Sequence, residues 1–499
     1  MNDRIRRIAV VGVALLAALI VGSTYWQTWA EGELSARQDN AIQLVAQFKI
    51  DRGDIHAGAL VLAQNRVVKT RGQTFYLRIY PHKKLAADIV GYSTQGRSRA
   101  GIERSLNDYL TSSNSDLHTL LTRIANSFEG ATVRGNSVWL TLVPGAQYLA
   151  QQALGSECGA AVALDVKTGK VLVMATSPTY DPNLVEHHFD QIGKTQAHCA
   201  GPAPLINRAT AGLYVPGSSF KLVTAAAALE SGQFTPSSPF FDPGYCIEFG
   251  KHVNNFALES GGPEQFGNVT LAQGLQHSIN SVFCNVGKKL GATKILDQAK
   301  KFGFYSTPNL ETPPEEQRTS GLYNCDKHGR CRLFFPQHDY QVDPGRLAFG
   351  QERLQVTPLQ MAMVAAAIGN GGVVMHPYVV DKITKPGGGV LQTTKPKALG
   401  RAISPQTASE LTTMMESVVT GGTGTAAQIP GVRVAGKTGT GETSIPGVNQ
   451  AWFVCFAPAD NPRIAVAVTL ENQLHKTGGE VAAPIAKSIL EALLKQPTA

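Results

Sequence analysis

Residues 214–221 read Tyr-Val-Pro-Gly-Ser-Ser-Phe-Lys, and this stretch decides how the rest of the chain is interpreted. The Pro-Gly pair opens an apolar helical pattern that continues to Glu230. Spacing i, i+3 on that helix places Lys221 one turn from Ser218, on the same face. A serine hydroxyl is a weak nucleophile that needs a neighbouring base, and a neutral lysine amine can serve. The pattern predicts Ser218 as a nucleophile with Lys221 as its base, and a helix N-cap role for the serine is equally compatible.

An exposed lysine would not act as this base. Its reference pKa is about 10.4, so at pH 7 the neutral amine is disfavoured by roughly 4 to 5 kcal/mol. Burial, the positive end of a helix dipole and a second cation nearby all lower the pKa of a lysine. The sequence offers Lys437 as that cation. We therefore expect Lys221 to be neutral in the resting enzyme, close to Lys437.

A second motif, Ser278-Ile279-Asn280, lies within a helical pattern that runs from Leu271 to Leu290. The motif indicates either the polar surface of that helix or a helix border beside a substrate pocket. In the second case Ser278 would relay a proton toward a leaving amine, and Asn280 would hydrogen-bond a substrate amide. Taken alone, the motif does not decide between the two.

A third motif, Lys437-Thr438-Gly439, follows an apolar predicted strand. Because Gly439 has no Cβ, a substrate peptide could approach and pair with this strand, although a simple turn would also explain the glycine. Lys437 and the hydroxyls of Thr438 and Thr440 would then face a substrate carboxylate. The oxyanion of an acyl-transfer intermediate needs two backbone donors, and the N–H groups of Ser218 and Thr440 are the expected ones.

The N-terminus carries the pattern of a membrane anchor. Arginines at positions 4, 6 and 7 precede a stretch from Ile8 to Ala30 that has no charged side chain. A transmembrane helix at residues 8–26 has the length needed to cross a bilayer, and Tyr25, Trp26 and Trp29 supply an aromatic belt at its far end. Residues 1–7 should stay in the cytoplasm and the rest of the chain should lie outside it. A cleaved signal peptide is the alternative, but its apolar region would be shorter.

Length and composition indicate a folded protein of more than one domain. The chain has 499 residues, of which 43% are hydrophobic and 16% are charged, a globular balance in a chain too long for one core. We expect an accessory domain at 31–140 and a larger domain at 141–496. The net charge is +8, but no run of five like charges occurs. Scattered surface cations therefore explain the charge, and no nucleic-acid partner is expected.

The larger domain shows strand and helix patterns that indicate an α+β fold. Two β-branched runs, 159–165 and 170–177, flank a Lys-Thr-Gly turn and predict a hairpin. Helices follow, then further strands and a final helix, which favours an antiparallel sheet with helices on its faces over a parallel α/β arrangement. The predicted helices are 144–154, 220–230, 271–290, 358–369, 405–419 and 484–494, and the other predicted strands are 138–143, 432–436, 451–457 and 464–471.

Seven cysteines leave at least one thiol unpaired, so the sequence implies no complete disulfide framework. Cys325 and Cys331 lie close together in a polar segment, where a local disulfide and two free thiols both fit the pattern. Cys284 and Cys455 lie in apolar runs and are expected to be buried as small hydrophobic residues. No Cys-x-x-Cys or His-Glu-x-x-His spacing occurs, and a group of histidines near Cys199 lacks ligand periodicity. We expect no metal and no cofactor.

In its three motifs and in several further stretches, the chain resembles the class B penicillin-binding proteins, and within them the penicillin-binding protein A group. Motifs of the form S-x-x-K, S-D-N and K-T-G are shared by penicillin-binding proteins and class A β-lactamases, and the Ser-Ile-Asn motif here is closer to the penicillin-binding form. The other shared stretches are Gly350-Gln351, Thr357-Pro358-Leu359-Gln360, Ala435–Thr440, Ala451-Trp452-Phe453, Ser177–Asn183 and Thr477–Pro484. The resemblance covers residues 140–495 closely, whereas Arg52-Gly53-Asp54-Ile55 and Gly101-Ile102-Glu103 match the family's pedestal domain more loosely.

The resemblance implies a transpeptidase and β-lactamase-like fold with a smaller mixed α/β pedestal, or dimerisation-type, domain. It implies a D,D-transpeptidase that attacks the D-Ala-D-Ala end of a peptidoglycan stem peptide, releases D-Ala and passes the acyl group to an amine of a second stem. Ser218 would also be acylated by β-lactams. The expected location is the outer face of a bacterial cytoplasmic membrane, with a polytopic membrane glycosyltransferase as partner. Val215 and Ser219 depart from the family pattern, and a Cys-bearing segment near 319–341 looks like an insertion.

Two other classes of function remain open from sequence. A D,D-carboxypeptidase or a β-lactamase-like hydrolase would use the same nucleophile and transfer the acyl group to water. Class A β-lactamases deacylate through a Glu downstream of the serine, but the one Glu-x-x-Leu-Asn match here, Glu103 to Asn107, lies upstream of Ser218. A non-catalytic β-lactam sensor or division scaffold would keep the fold, and three intact motifs argue against a dead site.

Overall fold

A computed structural model describes residues 2–28, 48–70, 72–95, 98–113, 134–195, 197–199, 201–255, 257–258, 262–327 and 330–495. The first helix covers Asn2–Thr28. Within the described part of the chain, no helix is both long and apolar enough to cross a membrane. The anchor at 8–26 stays a prediction from sequence. Trp29 and the beginning of the expected accessory domain, residues 31–47, lie outside the described residues.

The helices and strands are numbered along the described chain. The helices are α1 (Asn2–Thr28), α2 (Ala87–Val90), α3 (Gly101–Ser105), α4 (Asn107–Leu110), α5 (Pro144–Leu154), α6 (Phe189–Ile192), α7 (Lys221–Glu230), α8 (Leu271–Gln276), α9 (Asn280–Leu290), α10 (Ala292–Lys301), α11 (Pro344–Ala348), α12 (Pro358–Gly369), α13 (Pro405–Gly421) and α14 (Gly478–Leu494). Single 3₁₀ turns lie at Pro182–Leu184, Gly217–Phe220, Pro314–Glu316, Asp339–Gln341 and Thr425–Ala427.

The strands are mostly short. They are β1 (Ile55–Ala57), β2 (Leu60–Thr70), β3 (Gln73–Ile79), β4 (Ser137–Leu140), β5 (Gly159–Asp165), β6 (Val171–Ser177), β7 (Pro239–Asp242), β8 (Tyr245–Glu248), β9 (Lys251–Asn254), β10 (Ala257–Leu258), β11 (Gly262–Pro263), β12 (Gly267–Thr270), β13 (Gly321–Cys325), β14 (Cys331–Phe334), β15 (Leu354–Gln355), β16 (Val373–Met375), β17 (Val380–Thr384), β18 (Val390–Thr393), β19 (Ala398–Arg401), β20 (Ala435–Glu442), β21 (Val448–Ala457) and β22 (Ile464–Leu474).

The larger part of the chain is built on one antiparallel sheet in the order β20-β21-β22-β5-β6. Helices α5 and α14 pack on one face, and α12 packs on the other. Because both faces are covered, β21 and β22 are buried along 451–457 and 464–470, which explains their unbroken apolar runs. All twelve residues of α12 are buried, as expected for a helix that is apolar all round. The predicted antiparallel sheet with helices on its faces is confirmed.

The predicted helix 271–290 is two helices, α8 and α9. Ser278 adopts a left-handed φ of 61°, and Ile279 is extended. Neither conformation fits a right-handed helix, so the chain turns between the two. The second motif therefore occupies a helix border, which was the alternative that placed it beside a pocket.

Among the predicted elements whose ends differ from the observed ones, two bear on the site. The strand expected at 432–436 begins at Ala435 and continues to Glu442, so the third motif lies within the strand and not after it. The final helix begins at Gly478 and not at Pro484, because Thr477 forms a capping box with Glu480 at its start.

A second sheet, in the order β18-β17-β4-β1-β2-β3, forms the smaller module. Strand β1 pairs in parallel with β4, and β17 pairs with the other side of β4. Both β17 and β18 come from beyond the predicted 31–140 boundary, which stays a prediction. Beside this sheet the buried Glu103 carboxylate accepts from Arg52 Nε at 2.7 Å and from Arg78 Nε at 2.5 Å. The carboxylate therefore links one residue of each loosely matching pedestal stretch, Arg52 and Glu103, and adds Arg78 from β3.

Three disulfides occur among the described residues: Cys158–Cys199, Cys246–Cys284 and Cys325–Cys331. The local pairing of the last two was one of the alternatives expected. Cys284 is buried as expected, but its treatment as an unpaired hydrophobic residue was wrong, because α9 places it against Cys246 of β8. Cys455 is free and buried.

Candidate active site

The turn that carries Ser218 packs directly against β20. Gly217 has a left-handed φ of 51°, and a Cβ on it would lie 2.2 Å from Thr440 O. A Cβ on Gly441 would lie 2.2 Å from Val215 O. Only glycine permits backbones to approach this closely. Ser218 is therefore held beside Thr440, at the edge of the sheet.

The predicted base lies one turn beyond the serine. Residues 217–220 form a 3₁₀ turn, and α7 begins at Lys221, whose side chain is fully buried. Lys221 Nζ donates to Ser278 O at 2.6 Å and to Asn280 Oδ1 at 2.8 Å, and Ser278 Oγ lies 3.5 Å away. Burial, and secondarily the charge of Lys437, hold the pKa of Lys221 well below its ordinary value. The lysine is thus prepared to be a neutral amine.

A neutral amine has two N–H groups and one lone pair. In this form the two shortest contacts of Lys221 use both N–H groups, which leaves the lone pair for a proton donor. Ser218 Oγ and Lys221 Nζ, both in the described part of the chain, are not hydrogen-bonded to each other. In unliganded enzymes such catalytic hydrogen bonds commonly form only with substrate.

Lys437 connects the third motif to the second. Its Nζ donates to Ser278 Oγ at 2.8 Å and to Thr438 O at 2.9 Å. Burial lowers the pKa of Lys437 to about 7, so near neutral pH the group is partly protonated. The expected approach of Lys437 to Lys221 is seen, with Ser278 between the two amines. Burial lowers the pKa of both lysines.

Asn280 faces the site from the start of α9. Besides accepting from Lys221, it donates through Nδ2 to Asn254 O at 3.0 Å. Its amide is therefore used in the resting structure to fix the lysine and the β8–β9 hairpin. The expected contact with a substrate amide stays a prediction.

Gly439 has a structural reason that the sequence did not reveal. A Cβ there would meet Pro216 O at 2.7 Å, Trp452 Cβ at 2.9 Å and Ser219 Cβ at 3.0 Å. These atoms belong to the protein side of the strand. Packing against the 214–221 turn therefore requires a glycine here, a reason different from both the approach of a peptide and the simple turn expected from sequence.

A cleft of about 870 Å³ opens over these residues. Of the predicted site residues, Ser218, Ser278, Asn280, Thr438 and Thr440 line it. Lys221 and Lys437 lie beneath its floor, fully buried. Ser218 and Thr440, the predicted oxyanion donors, both line this cleft from facing segments.

Several cleft residues carry no signal in the sequence analysis. Thr423 Oγ1 lies 2.6 Å from Thr438 Oγ1, and the hydroxyl pair faces the same cleft. Asn254 and Glu352 reach it from the β8–β9 hairpin and the segment after α11. Asn254 and Thr423 lie outside the motifs, and Glu352 follows the Gly350-Gln351 stretch without belonging to it, so only the fold shows that they reach the site.

One group of side chains in the described chain has metal-ligand geometry: Cys246, Glu248 and Cys284. The two sulfur atoms are bonded to each other and are therefore not available as thiolate ligands. Nothing in the chemistry of the cleft requires an ion at this place.

Residues 159–491 match the family model of the penicillin binding protein transpeptidase domain. The chain belongs to the class B penicillin-binding proteins. Residues 52–138 of this penicillin-binding protein match the model of the penicillin binding protein A dimerisation domain, which places it in the penicillin-binding protein A group. The predicted family and enzyme class, a serine D,D-transpeptidase, are confirmed.

Relatives and solved structures agree with this assignment. This penicillin-binding protein is 35% identical to peptidoglycan D,D-transpeptidase PbpA of Mycolicibacterium smegmatis, over 99% of this chain and 100% of that one. It is 34% identical to PbpA of Mycobacterium tuberculosis, over 99% of both chains. The ceftriaxone acyl-enzyme of penicillin-binding protein A from M. tuberculosis superposes with a TM-score of 0.79 at 32% identity, over 90% of this chain and 100% of that one. The imipenem acyl-enzyme of the same protein superposes with a TM-score of 0.78 at 31% identity, again over 90% of this chain and 100% of that one.

Proposed function

We propose that this penicillin-binding protein cross-links peptidoglycan stem peptides through an acyl-enzyme on Ser218, and that β-lactams acylate the same oxygen. The proton of Ser218 passes to the lone pair of Lys221 Nζ while Oγ bonds to the carbonyl carbon of the penultimate D-Ala. The C–N bond then breaks, and D-Ala leaves with a proton relayed through Ser278 Oγ. In the second half, an acceptor amine attacks the ester carbonyl, and Lys221 returns the displaced amine proton to Ser218 Oγ.

The observation that carries this mechanism is the set of contacts around Lys221. In its neutral form the buried amine uses both N–H groups in the contacts with Ser278 O and Asn280 Oδ1 and keeps its lone pair for the serine one turn away. Burial and the charge of Lys437 lower the pKa of Lys221, which reduces the free-energy cost of the neutral amine at neutral pH. This arrangement is what a nucleophilic serine requires.

Substrate binding falls to β20. Lys437, Thr438 and Thr440 supply a cation and two hydroxyls for the terminal carboxylate of the donor peptide, as the third motif indicated. The N–H groups of Ser218 and Thr440 would stabilise the oxyanion, since both residues line the cleft at the place where the 214–221 turn meets the strand.

Fluorescent penicillin tests the assignment of the nucleophile. Wild type should keep a covalent label for hours, and Ser218→Ala should take none. Ser219→Ala removes the neighbouring hydroxyl, whose partner is Pro216 O, and serves as the matched control that still labels. Absence of label on wild type would defeat the proposal, and loss of label within seconds would indicate a β-lactamase. D-Ala release without cross-linked product would indicate a D,D-carboxypeptidase.

The N-terminus is proposed as a single-pass anchor in a bacterial cytoplasmic membrane, with residues 1–7 in the cytoplasm and the domains at 31–140 and 141–496 outside it. Support comes from the charge-free stretch at 8–30. It also comes from the apolar side chains along α1, such as Leu15 and Leu19, which are 67% and 69% exposed. A carbonate-washed membrane fraction should retain the full chain and lose a variant without residues 1–28. Full-length protein in the soluble fraction would overturn the anchor.

Polymerisation of glycan strands is assigned to a partner. The two matched family models describe a transpeptidase and a dimerisation domain, and neither is a polymerase. We therefore propose a polytopic membrane glycosyltransferase as partner, which crosslinking in intact membranes followed by mass spectrometry would identify. Recovery of only soluble proteins would contradict it.

A further inference from the structure

A charged pair on the wall of the cleft has no part in the mechanism above. Glu352 and Arg353 both line the cleft that contains Ser218. Arg353 Nε and Nη2 donate to the same Glu352 oxygen, Oε1, at 3.0 and 2.8 Å. The side chains keep 19% and 39% of their surface exposed, so both remain within reach of a ligand.

The backbone under this pair is held in an unusual conformation. Glu352 has a φ of 60° and Arg353 a φ of 59°, two consecutive non-glycine residues in the left-handed region. Such residues persist only where their surroundings enforce the conformation, and they concentrate at functional sites. The segment is tied to the nucleophile turn, because Gly217 N donates to Gly350 O at 3.1 Å. The pair is thus fixed relative to Ser218.

The Cys-bearing hairpin of β13 and β14 contacts the arginine from the other side. Strands β13 and β14 form a hairpin in which Cys325 and Cys331 pair directly and are joined by a disulfide. From this hairpin, Asn324 Oδ1 accepts from Arg353 Nη1 at 2.6 Å, and the Phe334 ring lies 5.6 Å from the guanidinium carbon. The hairpin therefore helps to fix the position of the Arg353 guanidinium.

The remaining hydrogen-bonding capacity of the pair defines what it can bind. A guanidinium has five N–H donors. Two go to Glu352, one to Asn324 and one to Gln341 O at 2.8 Å, which leaves one N–H on Nη1. Within the described part of the chain no hydrogen bond uses Glu352 Oε2. One N–H donor on Arg353 and one carboxylate oxygen on Glu352 therefore remain for a ligand, on a pair with no net charge.

We propose that Glu352 and Arg353 form a subsite for a zwitterionic amino-carboxylate group at the end of a stem-peptide side chain. The free Nη1 N–H would bind its carboxylate, and Glu352 Oε2 its ammonium. A dipolar pair of zero net charge favours a dipolar group over a lone cation or a lone anion, because each end of the ligand meets its opposite. This inference rests on the proposed function and adds the class of peptide that the site selects.

The test compares three peptides that share a D-Ala-D-Ala end. Their side chains end in an amino-carboxylate, in an amine alone, or in an amino-carboxamide. The readout is the ratio of kcat/KM values for D-Ala release. Wild type should prefer the amino-carboxylate by about tenfold, the value of one charge-assisted hydrogen bond. Glu352→Gly and Arg353→Ala should bring the ratio close to one, and Arg353→Lys should fall between.

A matched control and a stability measurement separate recognition from structure. Arg433 makes a two-point contact with Glu416 at 2.7 and 2.8 Å on an exposed surface, so Arg433→Ala should keep the wild-type ratio. Glycine suits the left-handed φ at position 352, so Glu352→Gly should melt no lower than wild type if the pair serves recognition.

Two results would overturn the subsite. One is a wild-type ratio near one. The other is a lower melting temperature in Glu352→Gly together with an equal loss for all three peptides and for acylation by benzylpenicillin, which would assign the pair a structural role. Failure of the proposed function would look different, since wild type would then take up no penicillin.

Discussion

Ser278 offers a prediction in which chemistry and backbone strain point in opposite directions. Its hydroxyl accepts from Lys437 Nζ at 2.8 Å, while its φ of 61° is left-handed. Both Ser278→Ala and Ser278→Gly remove the hydroxyl, so each should slow acylation by about 10²-fold or more, the lower end of what a positioned proton-transfer group contributes.

The two variants should differ in stability. Alanine keeps the left-handed strain of about 1 to 2 kcal/mol, whereas glycine relieves it at a cost of about 0.5 to 1 kcal/mol in the entropy of the unfolded chain. Glycine should therefore be the more stable by about 1 kcal/mol, despite the equal loss of activity.

Stopped-flow acylation by a penicillin and urea denaturation measure the two quantities on the same preparations. A Ser278→Gly enzyme that acylates at the wild-type rate would refute the relay. An alanine variant as stable as the glycine variant would refute the argument from strain.

Three further predictions follow from burial and close packing. Burial lowers the pKa of Lys437 to about 7. The rate of acylation by a carboxylate-bearing β-lactam should therefore fall about tenfold per pH unit above that value, because the ammonium is lost. A second-order rate constant that stays level from pH 7 to 9 would exclude a role for the Lys437 ammonium in binding the carboxylate. A Cβ at Gly439 would lie 2.7 Å from Pro216 O, so Gly439→Ala should lower the free energy of unfolding by about 1 to 3 kcal/mol, and an unchanged calorimetric midpoint would contradict this. Burial raises the pKa of Asp88 to about 7, above its unfolded value of about 3.9, so its contribution to stability is lost as pH rises from about 4 to 7. Asp88→Asn should flatten that part of the urea-denaturation profile, and an unaltered slope would show that another group titrates there.

For two helices whose start is marked by proline, the sequence predicts the first and last residues correctly. Helices 144–154 and 358–369 each begin with proline at the first helical position, where its fixed φ and missing N–H are favourable, and both have the predicted bounds. Strand β20 was misplaced because Gly436, Gly439 and Gly441 are poor strand formers. What makes it a strand is its pairing with β21 and the turn packed against it, and neither interaction is local.

The same distinction applies to the active site. Ser218, Ser278 and Lys437 were found because each belongs to a short motif. Their mutual contacts depend on the break between α8 and α9 at Ser278. The helical pattern of residues 271–290 predicts one continuous helix and so does not show this break. The contact of Thr423 with Thr438 and the Cys246–Cys284 disulfide join segments that meet only in the folded chain. Neither could therefore be predicted from sequence spacing.

The sheet of the smaller module combines strands from early and late parts of the chain, and this affects folding during synthesis. Strand β4 ends at Leu140, and its neighbour β17 begins only at Val380, after β5 and β6 of the catalytic sheet and before its other three strands. A chain synthesised at about 5 to 20 residues per second would leave that edge of β4 uncovered for on the order of tens of seconds. During that time the edge is open to pairing with other chains. Assistance by a chaperone should therefore matter most before residue 393 has emerged, and a fragment that stops at residue 140 should aggregate instead of folding as an independent pedestal.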